Sequence, residues 1–302
     1  MQRGKTIFTA FVVGLCVSVG TAAAPTLTFT FKDVHSFKAA QETDTYGINN
    51  QGVIVGDYVD STGIQHGMIL TGTKVTKADH PNCAGTPGTT GTSFYAINSA
   101  GVAAGWCTEN GGTEIGYTYS KGKFTNVTIK GAEAVNVNGI NDKGNLVGAY
   151  IDSTGTQHGF LLVGKTLTKL DPPNVVSTAT AWGINNAGVI TVYGVNSAGG
   201  YSSYTTANKG KTYKAFSAPG AGTTGTAIHT PNNKGDIVGT YFDSSSVSHG
   251  VLLHAGKYYS FDDPTTPDTR GDGLNDKLVI VGRYGSGAFG GVGYEATTKG
   301  GN

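Results

Sequence analysis

Residues 138–150 read NGINDKGNLVGAY, and residues 46–58 read YGINNQGVIVGDY. Four weaker copies follow the same outline, and one asparagine recurs in all six. It falls at Asn49, Asn98, Asn141, Asn185, Asn232 and Asn275, in steps of 49, 43, 44, 47 and 43 residues. A step of this length suits one four-stranded propeller blade. Six copies therefore predict an all-β fold, a six-bladed β-propeller with four strands in each blade.

Each repeat divides into four short segments with strand character. In the third unit we assign these segments to residues 179–184, 146–151, 158–162 and 165–171, the first of which leads into the next shared asparagine. Apolar and small residues alternate within them, as in half-buried strands. Asn, Asp and Gly lie between the segments and favour tight hairpin turns.

The two ends of the chain complement each other. The sixth repeat stops after its third segment, residues 291–297, and lacks a fourth. Residues 27–34 read like a fourth strand that no third strand precedes. An N-terminal outer strand that completes the last blade would leave no open sheet edge. We therefore predict one closed propeller over residues 24–302, with blades beginning near residues 46, 95, 138, 182, 229 and 272.

Composition agrees with a chain of many short hairpins and argues against a nucleic-acid partner. The chain has 48 glycines in 302 residues, roughly twice the usual share. Its formal net charge is +1, whereas phosphate binding requires a concentrated basic surface.

The first 23 residues have the pattern of a signal peptide. Arg3 and Lys5 precede an apolar run over 7–19, and small residues follow at 21–23. Cleavage would remove Cys16 and export the mature chain to the extracellular space or the periplasm. The alternative is a retained membrane anchor, but the run is short for a span and no later segment approaches one. We therefore expect no stable membrane span after cleavage.

Export places the two remaining cysteines, Cys83 and Cys107, in an oxidising compartment. Two cysteines allow a single pairing, and we predict a disulfide between them. The alternative is two unpaired structural thiols.

The repeats also alternate. A His-Gly pair follows the second turn at His66, His158 and His249, in units one, three and five. Three copies of a two-blade unit would give this pattern. Threefold-related positions on the third strands would be on the order of 25 Å apart, far beyond the reach of one metal ion. We predict instead that each histidine bonds the aspartate of its own turn, at Asp60, Asp152 and Asp243 respectively.

At these residues the chain resembles the probable extracellular repeats of the HAF family. The shared pattern is Gly-Ile-Asn, then Gly-x-Ile-Val-Gly-x-Tyr, His-Gly-Phe-Leu and a Leu-Asp-x-Pro segment. Residues 139–172 follow it closely and 46–81 nearly as well, while units two, four and six lose the His-Gly pair. The resemblance implies a secreted bacterial protein of propeller form, with no established activity and no catalytic residue to transfer.

The remaining candidate sites are weak. The six shared asparagines could line a channel and bind a ligand, but turn chemistry explains a residue found in every hairpin better. Asp268, Asp272 and Asp276 lack the spacing of a calcium loop. The tripeptide at 270–272 matches a cell-adhesion motif, and Asn126 lies in a glycosylation sequon. Neither pattern is specific.

We therefore predict a secreted, monomeric, non-catalytic protein that binds a glycan or a protein outside the cell. The 15 tyrosines offer aromatic faces for such ligands. No catalytic, cofactor-binding or metal-binding residue is predicted. The alternatives are a polysaccharide hydrolase or lyase with a site at the channel mouth, and a purely structural envelope component. If a site exists, we expect it where the six copies differ.

Overall fold

The computed structural model describes residues 26–35, 37, 40–83, 85, 91–109, 111–266, 268–285 and 291–300. The predicted signal segment lies outside them. These residues form 24 strands, and among them no helix is long and apolar enough to cross a membrane. The strands are β1 (Thr28–Asp33), β2 (Glu42–Ile48), β3 (Val53–Val59), β4 (Gln65–Thr71), β5 (Lys74–Lys77), β6 (Ser93–Ile97), β7 (Ala103–Thr108), β8 (Glu114–Ser120), β9 (Lys123–Val127), β10 (Ala132–Ile140), β11 (Leu146–Asp152), β12 (Gln157–Val163), β13 (Thr166–Leu170), β14 (Ser177–Ile184), β15 (Ile190–Val195), β16 (Tyr201–Thr206), β17 (Lys214–Phe216), β18 (Thr226–Pro231), β19 (Ile237–Phe242), β20 (Ser248–His254), β21 (Lys257–Phe261), β22 (Thr269–Leu274), β23 (Ile280–Tyr284) and β24 (Val292–Lys299).

Consecutive strands pair antiparallel into four-stranded blades. Four sheets, β6–β9, β10–β13, β14–β17 and β18–β21, each form one blade, numbered 2 to 5. The remaining eight strands form one sheet that divides into blade 1 (β2–β5) and blade 6 (β22–β24 with β1). A single parallel pair, Thr43 with Val292, joins these two blades. The predicted propeller of four-stranded blades is confirmed.

The N-terminal strand closes the ring, as predicted. β1 pairs antiparallel with β24 from Thr28–Lys299 to Asp33–Tyr294. Its aromatic side chains pack inward: the Phe29 ring lies 4.9 Å from Phe261 of blade 5, and Phe31 lies 5.1 Å from Tyr294. The first residues of the domain and its last strand therefore share one blade.

One assignment within the repeat was wrong. Residues 179–184 belong to β14, which pairs with β15 in blade 4, whereas the first strand of blade 3 is β10. The innermost strands also begin at residues 42, 93, 132, 177, 226 and 269, two to six residues before the predicted starts. The recurring motif covers only the end of each inner strand, because the residues before it differ between copies.

The Gly-Ile-Asn motif has a steric and a hydrogen-bonding cause. A Cβ atom on Gly139 would lie 2.7 Å from the carbonyl oxygen of Trp182, so only glycine allows the inner strands of blades 3 and 4 to approach. The Asn141 side-chain oxygen accepts hydrogen bonds from the backbone N–H groups of Lys143 and Asn145 at 3.1 and 3.0 Å. This shapes the turn into the second strand.

The propeller has two faces. Turns between the first and second strands, such as 141–144, lie on what we call the Asn-turn face. Turns between the second and third strands, such as 60–63 and 152–155, lie on the opposite Asp-turn face with the connections between blades. The apolar core fills the blade interfaces, where for example Phe94 of blade 2 packs with Val55 of blade 1.

Candidate functional site

A closed chain of hydrogen bonds runs around the channel at the Asn-turn face. The side-chain N–H of each shared asparagine donates to the backbone carbonyl of the shared asparagine in the next blade, at 2.9–3.2 Å. The last bond, from Asn275 to the Asn49 carbonyl, joins blade 6 to blade 1. The asparagines therefore do two jobs, shaping their own turn and linking their blade to its neighbour, and both jobs are structural.

The six blades differ at the position three residues before each shared asparagine. The residues there are Tyr46, Tyr95, Asn138, Trp182, His229 and Asp272. The aromatic side chains among them contact one another. Tyr46 stacks on Tyr95 at 4.6 Å, and Tyr95 meets Trp182 of the non-adjacent blade 4 edge-on at 5.7 Å. Trp182 in turn lies 4.6 Å from the His229 ring.

This aromatic layer separates the two ends of the channel. On its Asn-turn side about 80 Å³ of space remains, lined by the shared asparagines, Asn138, Tyr95 and Trp182 among others. On its Asp-turn side lie charged groups. We call Tyr46, Tyr95, Trp182, His229, Asp272, Arg283 and Asp44 the channel cluster.

Arg283 organises the charged part of the channel cluster. Its guanidinium carbon lies 4.9 Å above the Tyr46 ring, and its Nη1 lies 3.6 Å from Asp44 Oδ2. Burial alone would lower the pKa of Arg283, but Tyr46, Asp272 and Asp44 hold it well above its ordinary value. Arg283 is therefore a permanent positive charge, and 24% of its side chain stays exposed.

Asp272 is the counterpart of Arg283. Its Oδ1 lies 3.0 Å from His229 Nδ1. Burial would raise the pKa of this carboxyl, but the hydrogen bond with His229 and the charge of Arg283 hold it below its ordinary value. An ionised carboxylate is thus buried within the channel cluster, where it balances the charge of the guanidinium.

Buried polar atoms without a partner concentrate here. Among the described residues, five buried side-chain atoms have no hydrogen-bond partner, and three belong to the channel cluster: Asp44 Oδ1, Asp272 Oδ2 and Arg283 Nη1. A fourth is the hydroxyl of Thr240, whose place in blade 5 corresponds to that of Arg283 in blade 6. Because folded proteins rarely leave such groups unpaired, their concentration at one place marks a candidate ligand site.

A second carboxyl lies behind Asp44. Asp57 is its direct cross-strand partner and accepts a hydrogen bond from the Ser93 hydroxyl. Burial, reinforced by the charge of Asp44, raises the pKa of Asp57 to about 8. Asp57 is therefore neutral at pH 7 and supports Asp44 without repelling it.

The three repeated histidines lie in three separate clamps, and the predicted hydrogen bond to the turn aspartate forms for His66 and His158, while His249 only approaches Asp243. His66 Nε2 is 3.1 Å from Asp60 and His158 Nε2 is 3.1 Å from Asp152, while His249 is 3.6 Å from Asp243. Sequence reasoning missed a second carboxylate, 13 residues after each histidine, whose oxygen lies 2.9–3.0 Å from Nδ1. These residues are Asp79, Asp171 and Asp262. Their constant spacing was a usable signal.

Cys83 and Cys107 are joined by a disulfide, with an S–S distance of 2.09 Å. His80 lies beside it, with Nδ1 3.8 Å from Cys83 Sγ and Nε2 2.9 Å from the Asn126 side-chain oxygen. The bonded sulfurs are not thiolates, so this buried group does not present a metal-binding set in its disulfide form.

The weaker sequence candidates are not brought together. Asp268 accepts hydrogen bonds from Ser248 and Asp276 accepts hydrogen bonds from Asn233, whereas Asp272 is buried beside His229. Residues 270–272 lie within β22 and Asp272 is buried, unlike an exposed adhesion loop.

No protein-family model matches the chain, and no curated protein matches its sequence. Among solved structures, it is similar to a triple arginine mutant of AofleA from Arthrobotrys oligospora, with 11% identity and a TM-score of 0.55 over 91% of this chain and 90% of the other. It is also similar to the SapL1 lectin in complex with α-methyl fucoside (12%, TM-score 0.51, 81% and 88% covered). TolB from Acinetobacter baumannii is a third neighbour (13%, TM-score 0.55, 88% and 66% covered). At these identities the likeness shows the fold alone.

Proposed function

We propose that this is an exported, non-catalytic glycan-binding protein whose ligand binds at the Asp-turn end of the channel. The observation that carries the proposal is the channel cluster, in which polar atoms of Asp44, Asp272 and Arg283 that lack a hydrogen-bond partner lie beside aromatic rings. Sugars present hydroxyl groups and apolar C–H faces together, and charged hydrogen-bonding groups next to aromatic faces suit both. The resemblance to HAF repeats supports export, and one structural neighbour is a lectin.

The channel cluster also favours binding because it is rigid. The aromatic rings pack on each other across the channel, and the carboxylates are fixed by His229 and by Tyr46, whose hydroxyl donates to Asp44 at 3.0 Å. Such a preorganised site loses little side-chain entropy when it binds a ligand.

One observation favours the second candidate, a polysaccharide hydrolase. Asp44 and Asp57 are a facing carboxyl pair, and Asp57 keeps a proton at neutral pH, as the general acid of a glycosidase does. Only 2% of Asp57 is exposed, however, and it bonds to Ser93 rather than facing the channel. A general acid must reach the bond it cleaves, so the pair supports binding better than hydrolysis.

A glycan array with the labelled, signal-free protein tests the proposal. Arg270 is exposed and lies directly opposite Arg283 in the blade 6 ladder, at the Asp-turn end. Arg270→Ala should therefore weaken glycan binding at least tenfold. Lys143→Ala, which removes an exposed charge from the Asn-turn face, should leave binding unchanged.

Three results would overturn the proposal. Released sugar products that require the channel residues would favour the hydrolase. Binding that is reduced by Lys143→Ala but not by Arg270→Ala would place the site on the other face. Absence of glycan binding on the array would favour the alternative that the protein is a structural envelope component.

A further inference from the structure

After the predicted signal segment the chain contains two arginines, and they lie side by side in blade 6. Arg270 on β22 and Arg283 on β23 are direct partners in the antiparallel ladder. Their side chains therefore project from the same face of the sheet, with Cβ atoms about 5 Å apart. Like charges directly opposite each other destabilise a sheet, so folding alone does not favour this pair.

Among the described strands, blade 6 alone carries two cations at this place in the ladder. The corresponding pairs of blades 1 to 5 are acidic or uncharged: Asp44–Asp57, Ser93–Trp106, Asn136–Ala149, Thr180–Tyr193 and Ala227–Thr240. Apart from the histidines, every other basic residue from residue 24 onward is a lysine. Arginine differs from lysine in its planar fork of N–H donors, which matches the two oxygens of an anion. Both the residue type and its position therefore distinguish blade 6.

Both guanidinium groups extend into the channel at its Asp-turn end. Arg283 lies over the Tyr46 ring of blade 1. Burial raises the pKa of Tyr193 on blade 4, and the positive charges of Arg283 and Arg270 oppose that rise. Since blade 4 is not adjacent to blade 6, charges that act on Tyr193 reach it across the channel. Arg270 is exposed, whereas 24% of the Arg283 side chain is accessible, so a ligand entering from this end meets Arg270 before the buried groups.

Arg270 has no counter-ion among the described residues. Its guanidinium forms no hydrogen bond and no ion pair with them, whereas Arg283 lies 3.6 Å from Asp44. An anion bound to Arg270 would supply the missing counter-ion and would also offset the repulsion between the two guanidinium groups. A neutral ligand would do neither.

The carboxyls near the arginine pair are poor counter-ions for it. Despite burial, the hydrogen bond with His229 keeps the pKa of Asp272 below its ordinary value. Burial raises the pKa of Glu42, Asp44 and Asp57, that of Asp57 to about 8. Two permanent cations therefore face one carboxylate whose ionised form its surroundings favour. One further negative group, supplied by a ligand, would complete the charge balance.

We infer that the glycan bound in the channel is acidic and that Arg270 binds its charged group, a carboxylate or a sulfate ester. Each of these groups offers the acceptor oxygens that a guanidinium fork requires. Tyr193, which takes in blade 4 the place of Arg283 in blade 6, offers a half-buried ring to the sugar. The inference rests on the proposed function for the position of the site, and it names the class of sugar that the site takes.

Matched charged and uncharged sugars test the inference on the mature, signal-free protein. An array presents oligosaccharides of galacturonate, alginate, hyaluronan and chondroitin sulfate beside neutral cello-, xylo-, manno- and galacto-oligosaccharides. The strongest binders are then titrated by calorimetry beside their carboxyl-reduced or desulfated counterparts, which tells a carboxylate from a sulfate ester. Thermal unfolding of each variant shows that it is folded.

We expect the strongest signals from acidic oligosaccharides, and removal of the charged group should weaken binding at least tenfold. Binding of the acidic form should also weaken when NaCl is raised from about 50 to about 300 mM. Arg270→Gln should abolish the preference for the charged form, and Arg270→Lys, which keeps the charge but loses the fork, should retain part of it. Lys143→Gln, which removes an exposed charge from the Asn-turn face, should retain all of it.

The outcomes separate this inference from the proposed function. If the strongest binders are neutral, or if Arg270→Gln weakens the charged and uncharged forms equally, the inference is wrong while the proposed function survives. A preference that persists in Arg270→Gln would place the charged group elsewhere and would also overturn the inference. If no oligosaccharide binds, both are wrong. The salt dependence and the matched sugars need only the parent protein, so they decide the matter even if a variant does not fold.

Discussion

The two ends of the channel are built on opposite principles. At the Asn-turn end the same asparagine recurs in all six blades, and its side chain bonds the next blade and its own turn. Three residues earlier in each strand the six blades carry five different residue types. There, buried polar atoms of Asp44, Asp272 and Arg283 have no hydrogen-bond partner. The residue that all six blades share holds the fold together, whereas the position at which the blades differ forms the candidate site.

The largest effect is expected from opening the ring on which both ends depend. Removing residues 27–34 from the mature protein deletes β1, so that β24 becomes an exposed edge and Phe261 loses its contact with Phe29. This should remove most of the ~5–15 kcal/mol that usually stabilises a domain, leaving the protein unfolded or aggregated. Urea denaturation of the truncated and intact mature proteins measures the difference in their free energy of unfolding. Equal stability of the two forms would contradict ring closure by the N-terminal strand.

Among the described residues, blade 2 alone carries a disulfide bond. The disulfide closes a 24-residue separation between Cys83 and Cys107, for which loop-closure entropy predicts ~3 kcal/mol of stabilisation. Reduction with dithiothreitol should lower the free energy of unfolding by about that amount. The Cys83→Ser, Cys107→Ser double variant should match the reduced protein and show no further response to the reductant. A response in that variant would show that the reductant acts elsewhere.

Two buried asparagines of blade 3 give the most direct contrast between the ends. Asn141→Ala breaks the bond to the Asn185 carbonyl and leaves the Lys143 and Asn145 N–H groups without their acceptor. It should cost ~2 kcal/mol or more.

Asn138→Ala is the matched control at the variable position. It removes one long bond, 3.4 Å, to the Ala181 carbonyl, and should cost less than ~1 kcal/mol. Chemical denaturation of both variants compares their free energies of unfolding. Equal costs would remove the distinction between the shared and the variable position.

The last prediction concerns the pH dependence of stability. Folded Asp57, with its pKa raised to about 8, keeps its proton where the unfolded chain, with a carboxyl pKa of roughly 4, has lost it. The unfolding free energy should therefore fall as pH rises from about 4 to about 8, by at most ~1.4 kcal/mol per pH unit from this group. Asp57→Asn is neutral throughout and should flatten the profile. Parallel profiles for parent and variant, measured by urea denaturation, would show that Asp57 is ionised in the folded protein.

The sequence was sufficient for the architecture because the architecture is repeated. The recurring asparagine predicted six blades, and the unmatched segments at the two ends predicted the closing strand. Both signals are local: a turn residue at constant spacing, and a strand pattern without its neighbour. The aspartate of each histidine turn was predictable for the same reason, since Asp152 lies six residues before His158.

The candidate site was predictable only in outline. The sequence indicates that blades differ before the shared asparagine, but not that Tyr95 reaches Trp182, because that contact depends on the small Asn138 of the blade between them. The blade-to-blade hydrogen bonds and the cross-strand pairing of Asp44 with Asp57 likewise depend on the assembled ring and its register. A pattern in a single sequence predicts neither the contacts between assembled blades nor the strand register.

The central claim is that the differing end of the channel binds the ligand, and a crystal structure of the mature protein with a glycan selected on the array tests it most directly. We predict glycan density at the Asp-turn end of the channel, with sugar hydroxyls on Arg283, whose side chain is 24% exposed, and a sugar face against an aromatic ring of the channel cluster. Density confined to the Asn-turn face, with no sugar contact to Arg283, would contradict it.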